Sequence, residues 1–313
     1  MTVPALAQRS VAGAATAAPG RRRWRDDLTG WAFAAPFMIL YVVFLAFPIL
    51  AAFLLSFTSF GLKDLSNPVG ATFVGVDNYI ALFGDETFWQ SLFNTFYLVV
   101  IGVPLTLAIG LVIATALNRG ISRFRTAFRV GYYLPVITSI VAIAVVWRFL
   151  LNPDVGLINM MLAGVGITGP AWLADPVFAM PSIIAMAVWR NLGFAMIVFL
   201  AGLQAIPSSL YEAAAIDGAG SRQSFRYITI PMLRPTILFM TVITTIGYLQ
   251  LFEEPFVMTG GGPLDSTLSV TMYMYQQGFT FFHQGYASAI AYVLFVIVAF
   301  IAFLQFKFLR SDT

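Results

Sequence analysis

The side chains that most often perform catalysis are scarce in this chain of 313 residues. It has no cysteine and one histidine, His283, so it lacks the residues for a thiol nucleophile or a cysteine- or histidine-rich metal site. A Ser-His-Asp triad in the membrane is not expected either, because the one histidine falls in a predicted loop. Its two lysines, Lys63 and Lys307, are followed by Asp64 and Phe308, so neither belongs to a G-x-x-x-x-G-K-[ST] phosphate-binding loop. These counts argue against an enzyme and against ATP binding by such a loop.

A set of polar and aromatic residues stands within or beside long apolar segments instead. Polar groups there are costly unless they are paired or face a cavity, so they are candidates for a solute pathway. The candidates are Asn94, Trp189, Arg190, Asn191, Tyr248, Gln250, Glu253 and Glu254. For each, a structural hydrogen bond between helices is the alternative. For Arg190 an ion pair with Glu253 or Glu254 is favoured, and these two carboxylates beside Pro255 could also mark the outer end of a span.

Membrane-spanning helices must position these residues. Hydrophobic residues make up 59% of the chain and charged residues 10%, whereas soluble proteins carry about 25% charged residues. A bilayer core is spanned by about 20 largely apolar helical residues. Six segments fit that description: 31–57, 91–118, 130–147, 182–204, 238–252 and 286–306. We therefore predict an all-α polytopic membrane protein with six transmembrane helices.

The positions of the basic residues predict its orientation. With the N-terminus in the cytoplasm, 14 of the 17 lysine and arginine residues fall in cytoplasmic segments, as the positive-inside rule requires. Both termini are then expected in the cytoplasm. Residues 1–28 are expected to be a disordered cytoplasmic tail and residues 29–313 the membrane domain. The first apolar run is too long for a signal peptide, so it is interpreted as an uncleaved anchor.

The predicted cytoplasmic loop 205–235, between spans four and five, has an unusual composition. Ser209 and Glu212 have the spacing of a capping box that opens a helix. Gly218 is placed to end that helix in the left-handed conformation. A second short helix is expected from Ser221, with arginines four residues apart on one face. Such a rigid helix–Gly–helix element could enter a groove on a partner, or it could lie on lipid, which the acidic first half disfavours.

This loop resembles the EAA loop (E-A-A-x-x-x-G-x9-I-x-L-P) of ABC importer permeases. The match consists of Glu212-Ala213-Ala214, Gly218 and Ile228-x-Ile230-Pro231, with Ile230 where the pattern has leucine. Three further segments resemble the carbohydrate-uptake branch, which includes the maltose and glycerol-phosphate permeases. They are 73–79 (FVGVDNY), 201–207 (AGLQAIP) and 259–263 (TGGGP). The resemblance covers residues 29–310.

The resemblance implies a non-catalytic transport subunit in the bacterial cell membrane, with a cytoplasmic EAA coupling helix between helices 4 and 5. It implies a second, homologous permease, two cytoplasmic ATPase subunits that bind ATP and Mg, and an extracytoplasmic solute-binding protein. This chain itself would hold no cofactor or metal and would contact membrane lipid but no nucleic acid. The contact with the ATPase would be carried by Glu212, Ala213, Ala214, Asp217 and Gly218.

The candidate pathway residues favour a neutral sugar or oligosaccharide as the solute. Aromatic rings stack on the apolar faces of sugars, while carboxylates and amides bind hydroxyl groups. Acidic groups disfavour a strongly anionic solute, so glycerol phosphate ranks lower, and a polyol is a further alternative. An ion-coupled secondary carrier is an alternative of another class. Such a carrier needs ionisable groups deep in several spans and usually has an internal repeat, which the sequence does not show. A channel, the third class, would conduct without ATP or a binding protein.

Overall fold

The computed structural model describes residues 21–66, 70–119 and 125–309. In these residues the regular secondary structure is helical, apart from an isolated antiparallel bridge between Thr58 and Phe73. The α-helices are α1 (Arg21–Tyr41), α2 (Phe47–Leu55), α3 (Asp77–Phe83), α4 (Glu86–Arg119), α5 (Arg125–Ile137), α6 (Ile140–Leu150), α7 (Leu157–Gly164), α8 (Pro176–Gln204), α9 (Ser208–Ile216), α10 (Ser221–Ser224), α11 (Ile230–Met232), α12 (Arg234–Leu249), α13 (Glu253–Met258), α14 (Val270–Tyr275) and α15 (Gln284–Leu309). Shorter π-helical turns occupy Val42–Ala46, Phe225–Thr229 and Gln276–Thr280, and a 3-10 turn occupies Leu62–Leu65.

Four continuous helical stretches of the described chain are long and apolar enough to cross a membrane, and they contain or closely match predicted spans one, two, four and six. They are Gly30–Leu55, Glu86–Asn118, Pro176–Gln204 and Gln284–Phe308. Two further stretches pass the same test only as bent pairs of helices. They are Thr126–Ile137 with Ile140–Leu150, bent by 99°, and Ser221–Met232 with Arg234–Leu249, bent by 65°. The all-α membrane fold is confirmed, with up to six spans if each bent pair is one span.

The third predicted span, 130–147, is not one straight helix. The chain bends by 99° between α5 and α6, at Thr138 and Ser139. Pro135 lies in the last turn of α5, where its missing N–H removes the hydrogen bond to the carbonyl of Gly131. Ser139 then takes a non-helical conformation, with φ −54° and ψ 123°, before α6 begins. Hydropathy predicts one continuous segment from α5 and α6, because it does not detect such a break in the backbone.

The boundaries of two other predicted segments also differ. Of the predicted disordered tail, residues 1–20 lie outside the described residues, but from Arg21 the backbone is already helical. Arginine is a good helix former, and these residues continue directly into the apolar part of α1. The fifth predicted span, 238–252, ends at Leu249. The chain then turns and starts the short helix α13 at Glu253.

Helix α8 lies at the centre of the packing because small residues let its neighbours approach closely. A Cβ atom added at Gly110 of α4 would lie 2.6 Å from the Cβ of Ala195, and one added at Gly193 would lie 2.1 Å from the carbonyl oxygen of Tyr132 in α5. Membrane helices associate through such small residues, since apolar side chains gain little by leaving lipid. This packing fixes the rotation of α8 and hence the direction in which Arg190 and Asn191 point.

Asp85, in the turn between α3 and α4, ties three helices together. Its Oδ2 accepts hydrogen bonds from the hydroxyl of Tyr273 in α14 and, at 2.6 Å, from that of Tyr286 in α15. Its Oδ1 accepts from the backbone N–H groups of Thr87 at 2.9 Å and Phe88 at 3.3 Å. Partial burial raises the pKa of the Asp85 carboxyl, but these four hydrogen bonds outweigh it, and the net pKa is lowered.

Replacing Asp85 by asparagine is expected to lower the free energy of unfolding by about 1–2 kcal/mol, because an amide cannot accept as strongly from two hydroxyl donors. Since the folded pKa is below the unfolded one, the stabilisation is complete above the unfolded value and disappears as the pH falls through the folded value. Thermal melting of the purified protein should therefore separate Asp85→Asn from wild type at neutral pH and less so below about pH 4. Asp154→Asn, at an exposed loop position, is the control. Equal melting of wild type and Asp85→Asn at neutral pH would contradict this assignment.

Candidate functional site

The first part of the site is the helix–Gly–helix element at 205–235. Its first helix, α9, begins at Ser208, directly after Pro207, which occupies the N-cap position without a side-chain cap. The predicted capping box of Ser209 and Glu212 is therefore wrong. Pro207 sets the entry into the helix with φ −60° and ψ 131°, so Ser209 already lies inside the first turn and Glu212 projects from the second. Glu212 is exposed and available to another protein.

Gly218 ends α9 as the sequence predicts. It adopts φ +79°, which is costly for residues with a side chain. The N–H of Gly218 donates to the carbonyl of Ala215 at 3.1 Å, and the N–H of Ala219 donates to that of Ala214 at 2.8 Å. These two bonds are the Schellman motif, which satisfies the last carbonyls of a helix and reverses the chain. Gly218 thereby fixes the angle between α9 and the following helix.

The second helix of the element is held in place from both ends. The N–H of Gly220 donates to Gln223 Oε1 at 2.8 Å, which caps the start of the run Ser221–Met232. The spacing of these two residues is the signal that could have located this cap in the sequence. The hydroxyls of Tyr211 in α9 and Thr229 in the second helix are hydrogen-bonded at 2.9 Å. The element is therefore a rigid unit.

The five residues predicted to contact the ATPase share this short segment. Glu212, Ala213, Asp217 and Gly218 are exposed, and Ala214 is half-buried. The neighbouring Ile216 exposes 87% of its surface. A small acidic helix with an apolar residue at its end thus projects from the described chain.

The second part of the site is a polar cavity of about 230 Å³ between α4, α8, α12 and α13. Six of the eight predicted pathway residues line it: Arg190, Asn191, Tyr248, Gln250, Glu253 and Glu254. The remaining wall is formed by Thr106, Phe194, Met240, Ile243, Thr244, Gly247 and Leu251. After the turn at Leu249, α13 packs against α6 and α8, which brings its carboxylates opposite α8.

An ion pair between Arg190 and Glu254 forms one side of this cavity. Nη1 of Arg190 lies 3.5 Å from Oε1 of Glu254, which is long for a hydrogen bond, so the pair is held mainly by charge. The side chain of Glu254 is 1% exposed, whereas that of Arg190 is 26% exposed. Among the described residues, Oε2 of Glu254 and Nε of Arg190 have no hydrogen-bond partner. Beside the cavity there is therefore a buried carboxylate oxygen with an unused acceptor position.

A hydroxyl pair supports the opposite wall. The hydroxyl of Tyr248 is hydrogen-bonded to Oγ1 of Thr106 at 2.8 Å. A Cβ atom added at Gly102 would lie 2.6 Å from the Tyr248 ring, so α4 leaves space for that ring at this position. Thr106 was missed by the sequence prediction. The rule that selected Asn94, a polar group in an apolar span, would also have selected this threonine.

Asn94 and Trp189 lie outside the polar cavity. Nδ2 of Asn94 donates to the backbone carbonyls of Asp265 at 2.7 Å and Leu268 at 3.0 Å. Asn94 therefore makes structural hydrogen bonds, which were the alternative to solute contact for each candidate pathway residue. Trp189 packs against Trp147, with ring centroids 5.8 Å apart, and borders apolar clefts.

The described chain combines long apolar helices, a polar cavity lined in part by the central helix α8, and a projecting helix–Gly–helix element. These are features of the membrane subunit of a transport system. Residues 106–310 match the family described as binding-protein-dependent transport system inner membrane component. The chain belongs to this family. It is an ABC transporter permease and a multi-pass membrane protein, as the resemblance predicted.

Relatives and solved structures agree with this assignment. The chain is 40% identical to the lactose transport system permease protein LacF of Rhizobium radiobacter, over 91% of this chain and 95% of LacF. It is 32% identical to the trehalose/maltose transport system permease protein MalF of Thermococcus litoralis, over 88% and 92% of the two chains. A chain of a bacterial alginate ABC transporter, solved in complex with an alginate-pentasaccharide-bound periplasmic protein, superposes with a TM-score of 0.80 at 26% identity, over 93% and 98% of the two chains.

Proposed function

We propose that this chain forms half of the translocation pathway of an ATP-driven importer for a neutral sugar or oligosaccharide. The observation that carries this proposal is the polar cavity, where Glu254 presents a buried, unpartnered carboxylate oxygen beside Arg190. Buried polar groups without partners are rare in native proteins and often have a functional explanation. A conformation of the transporter that opens this oxygen to the cavity would let a solute hydroxyl group supply the missing hydrogen bond.

The composition of the cavity supports a polyhydroxylated, uncharged solute. Tyr248, Asn191 and Gln250 offer hydroxyl and amide groups, which can both donate and accept hydrogen bonds. Two carboxylates and one guanidinium line the cavity, so a strongly anionic solute is disfavoured. The relatives include permeases named for lactose and for trehalose and maltose. One structural neighbour belongs to a transporter of the acidic polysaccharide alginate, so the fold alone does not select neutral solutes. The proposed preference for neutral solutes rests on the charges that line the cavity.

The cavity resembles one half of a binding site that a second subunit would complete. At about 230 Å³ it is smaller than the roughly 300–1,000 Å³ of typical ligand pockets, and Gln250 and Glu253 on its rim are exposed. A second, homologous permease that faces this rim would complete the pathway. The solute site would then lie between the two subunits, near the midplane of the membrane.

In this proposal α9 faces the cytoplasm and receives the movement of an ATPase. Two ATPase subunits would bind ATP and Mg, while this subunit would carry out no catalysis. Both termini would be cytoplasmic, and a solute-binding protein would deliver the sugar on the opposite side. ATP can change the accessibility of the pathway only if it binds more tightly to one conformation than to the other. The rigid helix–Gly–helix element would transmit that difference to the helices.

Reconstitution of the complete transporter in vesicles, with its binding protein and a panel of solutes, tests this function. We expect ATP-dependent uptake of a neutral sugar that persists in the presence of a proton ionophore. Uptake that survives without ATP and collapses with the ionophore would identify an ion-coupled carrier instead. Uptake of glycerol phosphate in preference to neutral sugars would contradict the proposed solute class.

A further inference from the structure

The two helices of the helix–Gly–helix element carry opposite charges on their exposed faces. Helix α9 exposes the carboxylate of Glu212, and its C-cap residue exposes that of Asp217. The second helix, Ser221–Met232, exposes the guanidinium groups of Arg222 and Arg226, one helical turn apart. In the described part of the chain neither arginine has a hydrogen-bond or ion-pair partner. The two helices therefore suit partners of opposite charge.

The second helix makes a large angle with α12, the apolar helix that follows it. It is bent by 65° from α12, which begins at Arg234 and is largely apolar. Membrane-spanning helices tilt by about 20° from the bilayer normal. A helix bent by 65° from such a span runs closer to the membrane plane than to the normal. If α12 begins its span near Arg234, the second helix would lie at the level of the lipid headgroups.

One side of the second helix is attached to the protein, and the other side is free. Thr229 is 1% exposed and is hydrogen-bonded to Tyr211, while Ile228 packs against the buried core of α4, α8 and α12. Tyr227, by contrast, is 71% exposed, and Arg226 beside it is also exposed. Tyrosine favours the interface between lipid and water, and arginine binds phosphate groups through two parallel N–H donors.

We propose that Arg222 and Arg226 bind the headgroup phosphate of an anionic phospholipid and thereby hold the second helix on the membrane surface. The acidic face of α9 is repelled by the same lipids, so it stays free for a protein. Because the Tyr211–Thr229 bond and Gly218 join the two helices rigidly, the lipid contact also fixes the height of α9 above the membrane. This last consequence depends on the proposed coupling function, whereas the lipid contact itself does not.

The lipid contact can be measured directly on the assembled transporter by native mass spectrometry from nanodiscs that contain phosphatidylcholine and phosphatidylglycerol in equal amounts. We expect wild type to retain phosphatidylglycerol preferentially, and the double variant Arg222→Gln/Arg226→Gln to lose that preference by on the order of tenfold. Arg222→Lys/Arg226→Lys should retain a part of it, because the charge remains while the paired donors are lost. Lys63→Gln removes an exposed cation elsewhere and is the matched control, for which no change is expected.

A second measurement separates the lipid from a protein partner. Solute-stimulated ATP hydrolysis should be higher for wild type in nanodiscs with phosphatidylglycerol than in pure phosphatidylcholine, and the glutamine variant should show no such difference. Unchanged retention of phosphatidylglycerol by the glutamine variant would overturn the proposal. Loss of the ATPase subunits from that variant, with lipid retention intact, would assign the two arginines to the ATPase.

Discussion

Replacement of Arg190 by glutamine is expected to destabilise the folded chain by about 3–5 kcal/mol, because it leaves the buried carboxylate of Glu254 without a counter-charge. Replacement of Glu254 by glutamine should cost much less. The reason is the unequal exposure of the partners, which is 26% for Arg190 and 1% for Glu254. An unpaired Arg190 can still reach water through the cavity, whereas an unpaired Glu254 cannot.

Uptake should show the opposite pattern. Glu254→Gln is expected to insert and fold, yet to transport its sugar about 10- to 100-fold less well, since a hydrogen bond to a charged acceptor contributes about 1.5–3 kcal/mol. The double variant Arg190→Gln/Glu254→Gln should recover stability but not uptake. Thermal melting and vesicle uptake of the three variants separate the two roles. Full uptake by Glu254→Gln would show that the pair is only structural.

Replacement of Gly218 by proline is expected to abolish coupling while the subunit remains inserted in the membrane. Proline fixes φ near −65° and has no N–H, so it can neither adopt the φ of +79° nor donate to Ala215. Helix α9 then loses its fixed angle to the second helix. Solute-stimulated ATP hydrolysis should fall to the basal rate, and uptake should be lost.

A matched control for this variant exists in the loop after α7. Gly166 has φ +77°, and its N–H donates to the carbonyl of Ala163 at 3.0 Å, so Gly166→Pro damages a similar turn away from α9. It should reduce stability without removing the stimulation of ATP hydrolysis. Wild-type uptake and stimulated ATP hydrolysis in Gly218→Pro would refute the coupling role of the element.

Features that depend on one short segment were predictable from the sequence. The apolar runs located the spans, and Gly218 was correctly expected in the left-handed conformation because few other residues tolerate it. The capping box at Ser209 failed because Pro207, two residues earlier, starts the helix first. The bend at Thr138 was missed because a 99° break leaves the hydropathy of the segment unchanged.

The cavity was only partly predictable because its members come from several helices. Arg190 and Glu254 meet because α13 packs against α8 after the turn at Leu249, a long-range arrangement that spacing does not encode. Asn94 has the same intramembrane character but is rotated towards the backbone of Asp265. Whether a polar residue faces a cavity or a neighbouring carbonyl depends on the rotation of its helix, which is set by packing at positions such as Gly193.

The central claim, that α9 is the contact through which an ATPase drives this permease, can be tested by site-specific cross-linking. The chain has no cysteine, so Ala215→Cys on the exposed side of α9 provides a unique thiol for a photoreactive benzophenone reagent. Leu264→Cys, 89% exposed beyond the far end of α12, is the control position. In the assembled transporter, Ala215→Cys should cross-link to the ATPase subunit and Leu264→Cys should not. Cross-linking of Leu264→Cys but not Ala215→Cys to the ATPase would contradict the account.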